Sequence, residues 1–318
     1  MGKYELTTDT KKVLGRKLFR IKALISFGNV EVGDLGGYIE KEDNLSHNGN
    51  AWVYGNAKVY GDAEVFDNAK VYDDAEVYGN VKVFGDARVY GNAELYGDAR
   101  IYGNAVACDY AKVYGNAEVY GNAIVYGNAE VSGNVKVCGD AELYGNAKVC
   151  DNAEVRRNAK VYDDAKVYGN AEVYGNAKVY GDARVYGAAE VYGDARIYGN
   201  AVACDYAKVY GNAKLYGDAR VYGNAEVCGA TGICGNARVC GAADYTIIKG
   251  FGRENRNTSF FKRADNSIGV VCGCFYGSIN EFRAKVKETH EESKYAKEYL
   301  LIADLMEYHF EKEEVKDE

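Results

Sequence analysis

From Val53 to Asp244 the chain repeats every six residues without an insertion or a deletion. The unit reads Val-Tyr-Gly-Asn/Asp-Ala-Lys/Glu/Arg, as in Val53-Tyr54-Gly55-Asn56-Ala57-Lys58, and the aliphatic position recurs from 53 to 239 in 32 hexads. A period of six fits neither an α-helix nor a hairpin stack. It fits a coil of three flat sides with one hexad per side and eighteen residues per turn. The aliphatic residue then points inward from each side, and the Ala four places later fills the inner corner. Gly and Asn/Asp form the bend, because both types tolerate positive φ. Strand alternation turns the Tyr and the charged residue outward.

Composition agrees with a folded repeat. The chain of 318 residues has 38 Gly, 30 Tyr and no Pro, a bias that signals either disorder or a repeat. A hydrophobic share of 47% excludes disorder. The formal net charge of −8 argues against a nucleic-acid partner, which needs a basic excess. No apolar run is long enough for a transmembrane helix, so no membrane partner is expected. The N-terminus lacks the apolar stretch of a signal peptide, and a cytoplasmic protein is expected.

The repeated pattern resembles the hexapeptide-repeat family: an aliphatic residue, a small or acidic one, two free positions, a small residue and another free one. One departure is the second position, small in the family and mostly Tyr here. The resemblance implies a left-handed parallel β-helix. The expected fold is therefore an all-β solenoid, a three-sided left-handed parallel β-helix over 47–244. An N-terminal β cap over 1–46 and a small C-terminal α+β module over 245–318 complete it. The lead-in Gly33-Asp34-Leu35-Gly36-Gly37-Tyr38-Ile39-Glu40 resembles the start of uncharacterised bacterial YdcK-type proteins, which are grouped with transferases because of the repeat.

Both flanks read as caps for the open strand edges that a solenoid leaves at its ends. Lys17–Leu24 is strand-like. In the C-terminal segment, Tyr245–Phe251, Thr258–Lys262 and Ile268–Phe275 read as three strands. Ser278 and Glu281 form a capping box before a helix carrying Phe282 and Val286. A second helix spans Lys294–Glu311 with Tyr295, Tyr299, Ile302, Leu305, Met306 and Phe310 as its apolar residues. The segment resembles tails of hexapeptide proteins from Firmicutes and their phages.

Hexapeptide acyltransferases use a histidine base beside loops that interrupt the coil. The three histidines here are His47, His290 and His309, and none lies between 48 and 289. His47 falls at the inward position of the first hexad, a tolerated residue in a capping coil, so no catalytic residue is assigned. Seven cysteines (Cys108, Cys138, Cys150, Cys204, Cys228, Cys234 and Cys240) occupy the Tyr slot, and no two are eighteen apart. Neither a zinc site nor a disulfide follows from one thiol per face. Cys272-Gly273-Cys274 is a lone C-x-C inside a strand. No metal and no cofactor site is expected. The Tyr slot is the candidate binding surface, with Tyr144, Tyr162, Tyr180, Tyr198 and Tyr216 stacked on one face. The charged slot alternates Lys and Glu along much of the array. Three hexads per coil is an odd number, so opposite charges stack on successive coils.

Residues 83–131 and 179–227 agree at 42 of 49 positions. The offset of 96 residues is sixteen hexads, which is not a multiple of three. Such an extension would move a site built on one face to another face, so length matters more than any single position. The leading expectation is a non-enzymatic structural or interaction scaffold, a rigid tyrosine-faced rod whose ligand the sequence does not name. It would form homo-oligomers through prism faces or terminal modules. The alternatives are an acyltransferase-like hexapeptide-repeat transferase and a carbohydrate- or surface-binding module of bacterial or phage origin. Deleting Val161–Lys178 removes one coil and preserves the hexad phase. A folded, shorter protein is expected by circular dichroism and thermal melting. A three-residue deletion at the same place should unfold the region by turning inward positions out.

Overall fold

The computed structural model describes residues 2–311. The chain is a parallel β-solenoid of about eleven turns with three parallel sheets, an antiparallel start and a small C-terminal module of two helices and a sheet. It divides into two compact units, 1–176 and 177–318.

In the unit 1–176 each array strand pairs in parallel with the strand eighteen residues on. Leu95 stands on Val113, Val113 on Val131 and Val131 on Val149. The inward Val, Leu and Ile and the corner Ala are fully buried. Burying one such aliphatic side chain contributes roughly 1.5–3 kcal/mol, so the stacked interior accounts for the fold without cross-links.

The bends need positive φ. Gly97 has φ +75°, and a Cβ there would come within 2.9 Å of the Gly115 nitrogen one coil on. At six bends Asp replaces Gly with φ between +58° and +64°. The Asp carboxylate has a specific use there. Asp73 Oδ2 accepts from the Gly91 N–H at 3.0 Å, and Asp109 Oδ2 accepts from the Gly127 N–H at 3.1 Å. The next residue of the bend builds amide ladders. Asn116, Asn134 and Asn152 each donate a side-chain N–H to the carbonyl oxygen of the next amide, the last of them to Asn170, at 2.9–3.0 Å. Asn104 and Asn122 lead instead to Asp140, where the ladder stops because a carboxylate has no proton to donate.

The N-terminal strands Tyr4–Val13 and Arg16–Ala23 form a hairpin. Leu35–Ile39 joins it antiparallel and pairs in parallel with the strand Lys58–Gly61. The hairpin thereby covers the open edge of the first coil. It also buries Tyr60, an outward position, against Leu18 and Tyr38. The Lys3 ammonium donates to the Ala51 carbonyl at 2.8 Å, and its burial pushes its pKa down to about 8.

The first coil departs from the expected phase. Ile39 pairs with Val59 and Leu45 with Val65, both twenty residues on, whereas Val53 pairs with Val71 at eighteen. Two extra residues lie between Leu45 and Val53. They move His47 out of the interior: its side chain is 36% exposed, and Leu45 takes the inward place.

The unit 177–318 repeats the same pairing, with Val185 on Ala203 and Ile197 on Leu215. After the last coil the chain forms four antiparallel strands where three were expected: Tyr245–Phe251, Arg256–Lys262, Ile268–Cys272 and Phe275–Ser278. The expected third strand breaks at Gly273, whose φ of +59° makes a tight turn pairing Cys272 with Phe275. The C-x-C motif is therefore a hairpin tip. Helices α1 (Ile279–His290) and α2 (Lys294–Phe310) pack Phe282, Val286, Tyr299, Ile302 and Met306 against Phe260 and Val270 of this sheet. Ser278 caps α1 with Glu281 in the expected box. Tyr295 and Leu305, two of the apolar residues of α2, are exposed.

The sheet lies against the last coils. Ala237 bridges to Arg263, and Ser259 Oγ accepts from the Gly232 N–H at 3.2 Å. A Cβ on Gly235 would collide with the Tyr276 hydroxyl. Asp109→Ala should destabilise the protein by about 1–2 kcal/mol, through a Cβ at positive φ without the compensating carboxylate bond. Asp109→Gly should cost less. Paired urea melts check the order of the two variants.

Candidate functional site

The outward Tyr slot forms face-to-face stacks. In 1–176, Tyr126, Tyr144 and Tyr162 have ring centroids 4.9 and 4.8 Å apart. In 177–318, Tyr180, Tyr198 and Tyr216 follow at 5.0 and 5.2 Å. Of the five tyrosines singled out in the sequence, Tyr144 stacks with Tyr162 in the first unit, and Tyr180, Tyr198 and Tyr216 stack in the second. All five are half-buried. Ring faces are taken up by neighbouring rings, so edges and hydroxyls are what the surface offers. The phenols also reach the adjoining charged column: Tyr102 Oη donates to Glu118 at 3.4 Å, and Tyr114 donates to Glu130. Two tyrosines stand apart. Tyr110 and Tyr206 occupy the Asn place of the bend and are 60% and 67% exposed.

The charged columns pair as the alternation requires. Lys148 reaches Glu130 and Lys160 reaches Glu142, each at 2.8 Å. These pairs are partly exposed and contribute about 0–1 kcal/mol apiece.

The candidate catalytic side chains are occupied locally. His47 Nδ1 accepts from the Lys3 backbone N–H at 3.0 Å, and its ring stacks on Tyr4 at 4.3 Å. All nine cysteines are free, and Cys108, Cys204 and Cys234 are buried in the Tyr slot. His290 lines a cleft of about 360 Å³ in the C-terminal module together with Cys272, Cys274 and Tyr299. There Cys272 Sγ accepts from the Thr258 hydroxyl at 3.2 Å. His309 lies in the last turn of α2 beside Phe310.

A feature that the repeat pattern does not predict is a groove of about 770 Å³ within 177–318, between the last coils and the C-terminal sheet. Tyr198 and Tyr216 line it, with Arg196, Lys214 and Arg256. One of its cations, Lys214, arises where one copy of the internal duplication differs from the other. Arg100 and Glu118 form an ion pair at 3.5 Å in the first copy. Their counterparts Arg196 and Lys214, paired on adjacent strands, are both positive.

A comparison with known protein families matches residues 111–127 to the YdcK beta solenoid repeat. The array is a YdcK-type β-solenoid. No curated protein matches the chain. The matched residues, Ala111–Gly127, span nearly one turn of the YdcK-type array, from the strand Lys112–Val113 to the strand Ile124–Val125. Among the described residues, no helix is long and apolar enough to cross a membrane.

In the Tyr slot of the YdcK-type array the phenols of Tyr60, Tyr90 and Tyr144 are held protonated beyond the usual tyrosine range. Burial, then the Glu76 carboxylate, raises Tyr60, and burial, then Tyr126, raises Tyr144. A hydrogen bond to Cys108, then burial, pushes Tyr90 up to about 12. An unfolded tyrosine ionises near pH 10. A phenol with a raised folded pKa stabilises the fold fully below about pH 10, and that contribution fades as pH climbs through the folded values. Melting temperature should therefore fall above about pH 10, and phenolate absorbance should lag behind that of free tyrosine. Simultaneous ionisation of all tyrosines near pH 10 with an unchanged melt would contradict the packing described.

Proposed function

We propose that the chain is a non-enzymatic interaction scaffold. In this reading a left-handed hexapeptide solenoid holds tyrosine columns in fixed register, and copies of the chain assemble through them. The observation that carries it is the stacking of Tyr144 on Tyr162, and of Tyr180, Tyr198 and Tyr216, at 4.8–5.2 Å on an unvarying backbone ladder. Ring edges and hydroxyls repeating at the coil spacing suit a partner with the same repeat, and a second solenoid face has it. Stacked aromatic side chains supply area at little cost in conformational entropy, as at other protein interfaces. Free cysteines throughout suit a reducing compartment, and we place the scaffold in the cytoplasm.

Sedimentation velocity tests the reading. The parent chain is expected to self-associate with rising concentration. Tyr144→Ser/Tyr162→Ser should weaken association while leaving the fold intact by circular dichroism. A strictly monomeric parent, or acetyl-CoA-dependent acyl transfer by it, would overturn the scaffold.

A further inference from the structure

The groove in 177–318 is electrostatically unlike the rest of the array. Along much of the array a cation stands beside a carboxylate on the next coil, as Lys208 does with Glu190 at 3.5 Å, and the like-charged neighbours Lys70–Arg88 and Lys148–Lys166 occur as pairs. On this face Lys178, Arg196 and Lys214 occupy three successive paired strands. Like charges directly opposite on neighbouring strands repel and destabilise a sheet. The column ends at Gly232, where the side chain of Val271 comes close enough to touch a Cβ at that position. The C-terminal sheet then adds a further cation to the lining, Arg256, whose guanidinium lies across Gly273. Asp194 is the one carboxylate in the lining. Among the described residues no carboxylate comes within ion-pair distance of Arg196, Lys214 or Arg256.

Another like-charged pair shows what a structural solution looks like. Arg220 pairs with Arg238 on a different face. Arg238 there directs its guanidinium to the carbonyls of Asp218 and Ala237 at 3.1 and 2.9 Å. The groove cations have no such internal acceptors among the described residues. Their charges converge on open space that is walled by Tyr198 and Tyr216 and floored by the buried Thr231 and Ser259.

We propose that this groove binds an oxyanion ester carried on a ring of sugar size, a phosphorylated or sulfated saccharide. Arg196, Lys214 and Arg256 take the charged oxygens, and guanidinium groups suit phosphate and sulfate through paired N–H donors. The hydroxyls of Tyr198 and Tyr216 and the Asn212 amide hydrogen-bond the ring substituents. The volume of about 770 Å³ exceeds what a bare phosphate would fill and matches an ester of a mono- or disaccharide. The inference stands apart from the scaffold reading, since a monomer could bind such a ligand equally well.

Isothermal titration calorimetry of the full chain with glucose 6-phosphate and with glucose 6-sulfate tests it, with glucose and inorganic phosphate as controls. Binding of at least one ester is expected, weakening as salt rises, and whichever binds more tightly identifies the source. Lys214→Glu restores the pairing seen between Arg100 and Glu118, so it should fold at least as stably as the parent. It should weaken ester binding about tenfold or more. Arg256→Ala, which lies outside the array, should weaken it as well. Glu118→Lys creates the same like-charged pair away from the C-terminal sheet and should leave ester binding unchanged. No binding of either ester at millimolar concentration, equal binding by Lys214→Glu, or inorganic phosphate binding as tightly as both esters would overturn the proposal.

Discussion

Everything in the array depends on one backbone register: each strand hydrogen-bonds in parallel to the strand eighteen residues on. Because the side-chain pattern has a period of six, that register places every residue on another of its own kind. Valine meets valine in the interior, Asn meets Asn along the bends, and Tyr meets Tyr outside. Identical residues stack well when their contacts are self-complementary. Aliphatic groups and phenol rings satisfy this directly, and amides satisfy it by donating one way and accepting the other. Carboxylates do not, so the Asp of the bend follows Gly in its column: Asp109 stands over Gly91 and accepts a hydrogen bond from the Gly127 N–H. Charges satisfy it only by alternation, which the odd number of hexads per coil makes automatic when Lys and Glu alternate in sequence.

The same register limits where a specific site can form. A position repeated on every coil cannot distinguish one place from the next. Distinct chemistry therefore arises where the repeat stops or changes. At the N-terminal end the hairpin adds antiparallel strands to the first sheet and closes over Trp52 and Tyr60. At the other end the four-stranded sheet approaches the last coils so closely that only glycine fits at Gly235. The groove beside it combines repeated residues with a non-repeated wall, which gives it a shape and charge found at no other described coil.

The internal duplication connects these two points. Its copies keep the core, the bends and most of the tyrosines, and the odd hexads with Cys108 and Cys204 keep their buried thiols. One of their few differences exchanges Glu118 for Lys214 and turns a paired charge into an unpaired one. Slippage can lengthen a register-driven array without disturbing its packing, and a single later change can then give the new copy a different surface.

The sequence alone determined the solenoid, the inward Val and Ala positions, the positive-φ bends, the tyrosine stacks and the α1 cap. Each of these follows from spacing or from a local hydrogen bond, and spacing survives translation into three dimensions when the backbone register is fixed. It did not determine the phase of the first coil. Two extra residues between Leu45 and Val53 are invisible without the strand pairing, and they carried His47 from the interior to the surface. Nor did it fix the turn at Gly273, because an apolar run reads as one strand until a neighbour shows where it folds back. The groove was partly legible, since Lys214 in place of Glu118 is visible in the aligned copies. What only the tertiary structure decided is that Arg256, some forty residues further along, joins Arg196 and Lys214 at one opening. That meeting depends on how a non-repeating sheet packs against the last coils, and side-chain volumes at Gly232 and Gly235 set the approach.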